Sequence, residues 1–165
     1  MHLQFVFAAL FIFLLVQAVV SDMSRLLIPN WISIALVALF VAYLPVSPVS
    51  LPVVGHMLVA CAAFAVGLGL YAHRWMAGGD VKLFAAVALW AGPAGILKLL
   101  MVTALAGAGL ALLVGLGIAY LHWSEAGPLG KDRSRFFPRW VKHGLVPYGF
   151  AIGAGALATI PAGFF

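Results

Sequence analysis

Six runs of apolar residues are the feature that most limits what this chain can fold into. They lie at 3–20, 28–44, 53–71, 81–90, 96–121 and 145–165. Within lipid every backbone polar group needs a partner in the protein, so runs this apolar are expected to be helices. The fourth run is short, but with the fifth it provides nearly two spans, and Ala-Gly-Pro-Ala-Gly at 91–95 is the expected turn. We predict an all-α, polytopic membrane bundle of about six transmembrane helices, forming one domain over residues 1–165.

Charged residues are few, and their positions indicate an orientation. The sequence is 65 % hydrophobic and 8 % charged, whereas soluble domains carry about 25 % charged residues. Eight of the nine Lys and Arg residues fall in segments 21–28, 72–82 and 122–144, which a six-span chain places on one face. By the positive-inside rule this face is cytoplasmic. The net charge of +5 therefore indicates orientation in membrane lipid and not nucleic-acid binding.

The residue types present give no support to metal or cofactor chemistry. Cys61 is the only cysteine, and the five histidines show no ligand spacing. We therefore predict neither a metal nor a cofactor. The run that begins at Leu3 lacks the basic residues that precede a signal-peptide core, so we expect an uncleaved first helix.

The four acidic residues are the main candidates for chemistry, and all lie on the predicted cytoplasmic face. Glu125 and Asp132 have basic neighbours and are interpreted as solvated charges. Asp22 follows the first apolar run and Asp80 precedes the fourth, which places both near the depth where headgroups meet hydrocarbon. An ionisable group at that depth is costly unless it faces a polar interior, so it marks a functional site by default.

These two carboxylates could act together or separately. If they meet, their charges repel and the pair tends to share one proton. One carboxylate can then take a proton from water while the other polarises a peptide carbonyl, as in aspartic proteases. The alternative is structural, because Asp at a helix start satisfies free backbone N–H groups. Asp22 would then cap the second helix or pair with Arg25, and Asp80 would cap the fourth helix.

Glycines in the later spans are interpreted as packing residues without a chemical role. The spacings Gly149-x-x-x-Gly153 and Ala111-x-x-x-Gly115 are typical of close helix–helix contact.

Two prolines are expected near the starts of their helices. Pro29 precedes Asn30, whose side chain is able to cap the second helix, and Pro147 begins the last one.

Three stretches, in this order along the chain, resemble the type IV prepilin peptidases. They are DMSRLLIPNWIS from Asp22, AGGDVKL around Asp80, and VPYG at 146–149. The resemblance covers essentially the whole chain and is strongest to the short form that serves tight-adherence (Flp-type) pili, called TadV or CpaA. It implies a membrane aspartic peptidase in which Asp22 and Asp80 are catalytic. The first glycine of the family's Gly-x-Gly-Asp motif is replaced by Ala77 in this chain.

Residues beside the two aspartates are candidates for supporting roles. Gly78 and Gly79 are expected to let the backbone turn sharply and a substrate strand approach closely. Lys82 points away from Asp80 on a helix. It either positions the aspartates or the substrate, as the resemblance implies, or is an interface lysine that reaches the headgroups. Arg25 could adjust the ionisation of Asp22, bind a carboxylate of the substrate, or act only as an orientation signal.

The resemblance implies a leader peptidase of the bacterial inner membrane. Its partner would be a prepilin with a short basic leader on the cytoplasmic side and a hydrophobic helix in the bilayer. Cleavage would occur at the cytoplasmic interface, where the charge bias independently places both aspartates. Methylation of the new N-terminus is left open, and the lack of Cys-x-x-Cys pairs argues against it. The competing class is a non-catalytic transport or pilus-assembly subunit, and the oligomeric state does not follow from the sequence.

Overall fold

The computed structural model describes residues 2–47, 51–125 and 146–159, and their regular structure is entirely helical. In this part of the chain the α-helices are α1 (His2–Arg25), α2 (Asn30–Tyr43), α3 (Val53–Ala72), α4 (Gly78–Glu125) and α5 (Tyr148–Thr159). A 3₁₀ turn, Leu44–Val46, follows α2. The predicted all-α class is confirmed, and the helices coincide with the apolar runs to within a few residues where both are described.

Much of the outer surface of the bundle is apolar. Helices α1, α3 and α4 are each long and apolar enough to cross a membrane, and α2 and α5 are shorter apolar helices. Large side chains such as Phe5 and Leu58 are 60 % and 66 % exposed. A large exposed apolar surface is typical of proteins that contact lipid, so the chain is membrane-embedded. The count of six spans stays a prediction, and Asp132 lies outside the described residues.

Helix α4 is broken at Gly92, inside the predicted turn. Gly92 has φ 60° and ψ −170°, a backbone region open almost only to glycine. Pro93 follows and opens the second arm of α4, residues 93–125, where the fixed φ of proline suits a first helical turn. The prediction of a turn at 91–95 is therefore confirmed.

The contacts of the two arms show that the chain reverses at Gly92. The first arm, residues 78–91, runs beside α3, with Val81 against Gly67 and Gly92 against His56. The second arm runs beside α5, with Gly95 against Thr159 at one end and Gly107 against Tyr148 at the other. Each arm is thus antiparallel to its partner helix, and residues 80 and 107 lie toward the same end of the bundle.

Proline at position 93 removes one hydrogen bond of the helix, and α3 replaces it. Because proline has no N–H, the carbonyl four residues earlier, at Leu89, loses its partner in the helix. His56 of α3 is buried, and its Nδ1–H donates to the Leu89 oxygen at 2.7 Å. The same imidazole fills the space where a side chain at Gly92 would stand. A buried histidine thus holds the reversal in place.

An aromatic cluster joins the first arm of α4 to α1 and α2 at the end near Gly92. The Trp90 ring centroid lies 4.8 Å from that of Phe11, 5.4 Å from Phe40 and 5.7 Å from Tyr43. The indole N–H of Trp90 donates to the Leu36 oxygen at 3.0 Å, so the polar atom of this buried side chain has a partner. This cluster packs one end of the bundle together. The helix ends that carry the aspartates lie at the other end.

Only one of the two small-residue spacings makes the predicted helix contact. Gly149 and Gly153 both face α1, and Val19 lies against Gly153. No atom of the described residues lies within 4 Å of a Cβ built at Gly115, and Ala111 is exposed. The prediction for that second pair is therefore wrong for the part of the chain described.

Replacement of Gly92 with Ala should lower the thermal unfolding midpoint of the purified protein. A side chain at positive φ costs about 1–2 kcal/mol, and the new methyl group would also collide with the His56 ring. The matched control is Gly115→Ala, where the space is open and alanine favours the helix by up to about 1 kcal/mol. Equal midpoints for the two variants in detergent would contradict this account of the reversal.

Candidate active site

Asp22 is buried in the last turn of α1 and binds the start of α5. Its side chain is 6 % exposed, and its Oδ2 accepts a hydrogen bond of 2.7 Å from the backbone N–H of Gly149. Gly149 is the second residue of α5, so this N–H has no partner within its own helix. The positive end of α5 thereby compensates a carboxylate that sits at the negative end of α1.

The capping role suggested for Asp22 is therefore real, but it serves a different helix. The N-cap of α2 is Pro29, which has no side-chain capping bond. Arg25 is exposed, and the Asp22 carboxylate binds Gly149 of α5 instead. The two structural alternatives, a cap for α2 and an ion pair with Arg25, are both wrong.

Gly149 belongs to the site and was missed by sequence reasoning, which treated it as a packing residue. A Cβ at this position would lie 2.8 Å from Oδ2 and 2.9 Å from Cβ of Asp22. Real Cβ atoms do not approach other atoms so closely, so glycine is required for this contact. A glycine two residues after a proline, at a helix start, offers an unshielded N–H without a partner in its helix, and this was the signal available in the sequence.

The chain turns away just after α1 ends, four residues after Asp22. Leu26 has φ 53°, a left-handed conformation that commonly ends helices. Its N–H donates to the Asp22 backbone oxygen at 2.8 Å, and Ser21 Oγ donates to the Leu27 oxygen at 2.7 Å. These bonds fix the segment that leads from α1 into α2.

Asp80 is the third residue of α4 and lies beside Asp22. It is 5 % exposed, and its carboxyl group takes a hydrogen bond from the backbone of Ala77, just before the helix. The predicted capping of the fourth helix is thus confirmed. The same carboxyl group also interacts electrostatically with Asp22. Capping and pairing, which were considered as alternatives, occur together in Asp80.

The residues before Asp80 form the start of a regular helix and not a tight turn. Neither Gly78 nor Gly79 has a positive φ, so the predicted sharp turn is wrong. Gly79 instead allows the start of α4 to approach Ile28 closely. A Cβ at position 79 would lie 3.2 Å from Cβ and 3.3 Å from the backbone oxygen of Ile28. This contact brings the first turn of α4 against the segment that follows Asp22. Ala77 likewise has no positive φ, so alanine suits that position.

A cavity of about 750 Å³ opens beside Asp80, between the end of α3 and the starts of α4 and α5. Its walls include Tyr71, Arg74, Trp75 and Tyr148. Arg74 has φ 61°, and the N–H of Trp75 donates to the Leu70 oxygen at 2.9 Å. This Schellman-type ending of α3 turns the chain toward α4. Of the two buried aspartates, Asp80 thus lines a partly polar cavity.

Lys82 and Arg25 do not touch either carboxyl group. Lys82 Nζ donates to Asn30 Oδ1 at 2.9 Å. Lys82 and Asp80 line different cavities, which agrees with the prediction that the two side chains point away from each other. Asn30 therefore binds Lys82 and does not cap α2. Among the described residues no group of three or more His, Cys, Asp and Glu side chains could hold a metal ion.

The fold and the site define a class: a membrane-embedded helical protein with two buried carboxyl groups from different helices at one end of the bundle. A model of the type IV leader peptidase family matches residues 9–112, more than half of the chain, including both aspartates. The chain therefore belongs to the type IV leader peptidase family. A search of curated proteins and a search of solved structures found no match.

Replacement of Gly149 with Ala should displace the Asp22 carboxylate and slow leader-peptide cleavage. A catalytic group shifted by about 1 Å can cost on the order of 100-fold in rate, so we expect a loss of about 10- to 100-fold. The control is Gly107→Ala, where the nearest atom to the new Cβ is Tyr148 Cε1 at 3.5 Å, an ordinary contact. Rates would be measured at matched protein levels in membranes, and equal rates for the two variants would contradict the role of Gly149.

Replacement of Ala77 with Gly, which restores the family motif, should change the cleavage rate by less than about twofold. Ala77 already adopts a backbone conformation that suits alanine, so glycine relieves no strain and adds only flexibility. A large gain in rate would show that the methyl group of Ala77 hinders the site.

Proposed function

We propose that this protein is a membrane aspartic endopeptidase that removes the leader peptide of Flp-type prepilins at the cytoplasmic membrane interface. Asp22 and Asp80 are the catalytic pair. The observation that carries the proposal is the meeting of these two buried carboxyl groups, which are 58 positions apart in the sequence, beside an open cavity. If the two aspartates served only as helix caps, repulsion between their like charges would favour an arrangement that keeps them apart.

The proposed chemistry is general acid–base hydrolysis without a covalent intermediate. One carboxylate takes a proton from water while the other, protonated, donates to the peptide carbonyl oxygen. The water oxygen adds to the carbonyl carbon to give a tetrahedral intermediate. The carboxyl group that took the water proton then gives it to the nitrogen, the other carboxylate takes a hydroxyl proton from the intermediate, and the C–N bond breaks to release a carboxylic acid and an amine. Since Oδ2 of Asp22 already accepts from Gly149, we assign the contact with water to Oδ1.

The position of the site supports cleavage at an interface. Trp31 and Trp75 lie near the starts of α2 and α4, and they are 53 % and 76 % exposed. Tryptophan is enriched where hydrocarbon meets headgroups. Arg25 and Arg74, from two of the segments predicted to be cytoplasmic, lie at this same end of the bundle. A prepilin whose leader ends where its hydrophobic helix begins would present its scissile bond at this depth.

Replacement of either aspartate with Asn should abolish processing. General acid–base groups contribute about 100- to 10,000-fold to a rate, so Asp22→Asn and Asp80→Asn should each lower cleavage by at least about 100-fold. The assay is co-expression with an Flp-type prepilin, scored by the gel shift that follows loss of the leader. Asp132→Asn is the matched control, because its carboxyl group is predicted to be a solvated charge.

The same variants distinguish the enzyme from a transport or assembly subunit. The amount of each variant in the membrane fraction is measured by immunoblotting, so that a loss of protein is not mistaken for a loss of activity. Near-normal processing by either Asn variant at a normal protein level would contradict the catalytic role of the pair. An assembly defect without any processing defect would instead favour the non-catalytic subunit.

A further inference from the structure

A second cavity, a groove of about 880 Å³, runs along the outside of the bundle between α2 and α3. Both helices pack mainly on α4, whose first arm forms the floor of the groove. Side chains such as Val37, Val41 and Met57 line it, and Val41 and Met57 are 59 % and 55 % exposed. In a membrane-embedded protein this groove opens toward lipid.

The lining of the groove changes in character from one end to the other. At the end nearest the start of α4, Lys82 and Asn30 are exposed and joined by their hydrogen bond. One helical turn further along α2, Ser33 is 7 % exposed, and its hydroxyl has no hydrogen-bond partner among the described residues. Beyond Ser33, the α2 residues that line the groove are apolar, as is Leu44 directly after α2. A cation, an unpaired hydroxyl and an apolar trough thus follow one another over about 21 Å of helix.

The groove does not serve the aspartate pair directly. Lys82 lies two positions after Asp80 on α4, and residues with this spacing face different sides of a helix. Asp80 lines the other cavity, between the end of α3 and the start of α5. A peptide held in the groove would therefore present its bonds to the wrong side of α4.

We propose that this groove binds one acidic phospholipid. The phosphate lies at Lys82 and Asn30, an ester oxygen of the glycerol accepts a hydrogen bond from the Ser33 hydroxyl, and an acyl chain fills the trough along Val37 and Val41. Basic residues between transmembrane helices bind anionic headgroups. A bound lipid would also give the buried Ser33 hydroxyl a hydrogen-bond partner, which buried polar groups generally have. This inference goes beyond the proposed peptidase function and does not depend on it.

Native mass spectrometry of the detergent-purified protein tests the headgroup preference. The protein is mixed with equal amounts of phosphatidylglycerol and phosphatidylcholine, and bound lipid is counted. We expect one phosphatidylglycerol to be retained in preference, and Lys82→Gln to lower that preference about fivefold, the contribution of one lysine near a charged membrane surface. Lys98→Gln is the control, because Lys98 is exposed and does not line the groove. Equal retention of the two lipids, or an equal effect of both variants, would overturn the proposal.

Cys61 provides a second measurement at the groove itself. It is the only cysteine of the chain, it is exposed, and it lines the groove, so a small thiol-reactive fluorophore labels this site alone. In vesicles, phosphatidylglycerol with a spin-labelled acyl chain should quench the fluorophore more than the matching phosphatidylcholine, and Lys82→Gln should remove the difference. Equal quenching by the two lipids in the unsubstituted protein, or quenching that depends only on protein dimerisation, would overturn the assignment.

Discussion

The hydrogen bond from the Gly149 amide to the Asp22 carboxylate is the contact on which the arrangement of the site depends. It joins the end of α1 to the start of α5 across 127 positions of sequence. A buried carboxylate is costly unless polar groups compensate it, and here a helix N-terminus does so at close range. The bond requires glycine at position 149, so the buried carboxylate and the residue that permits its burial lie on different helices.

Asp80 is held by the same physical principle in a different way. It lies in the first turn of its own helix and takes a hydrogen bond from the backbone at Ala77. Each aspartate is therefore placed at the positive end of a helix, Asp22 at that of α5 and Asp80 at that of α4. The close packing of Gly79 against Ile28 then sets how near the start of α4 comes to the segment after α1. Packing between helices thereby brings the two aspartates together, and local sequence does not specify that packing.

Much of the fold follows from features of the sequence that act locally. The apolar runs predict the helices. Ala-Gly-Pro-Ala-Gly predicts the reversal, because proline restricts the backbone and glycine permits conformations that other residues do not adopt. The two aspartates stand out because few other ionisable groups lie near apolar runs. In each case the relevant physics acts over a few residues.

What the sequence does not reveal depends on partners that are distant along the chain. Asn30 looks like a cap for α2 but binds Lys82, 52 positions away. Gly149 looks like a packing residue, yet its free amide meets Asp22. His56 carries no recognisable motif, although it supplies the hydrogen bond that Pro93 removes from Leu89. A local pattern shows that a group needs a partner, and only the packing of helices shows which partner it finds.

The shortness of two neighbouring helices has a consequence for the membrane around them. Helix α2 has 14 residues, and the first arm of α4 is of similar length, so each spans about 21 Å. The hydrocarbon core of a bilayer is about 30 Å thick. A bilayer that meets such short helices thins locally, which draws headgroups and their hydration toward the aspartates. Helix length thus affects how far a water molecule travels from the bulk to the cavity beside Asp80.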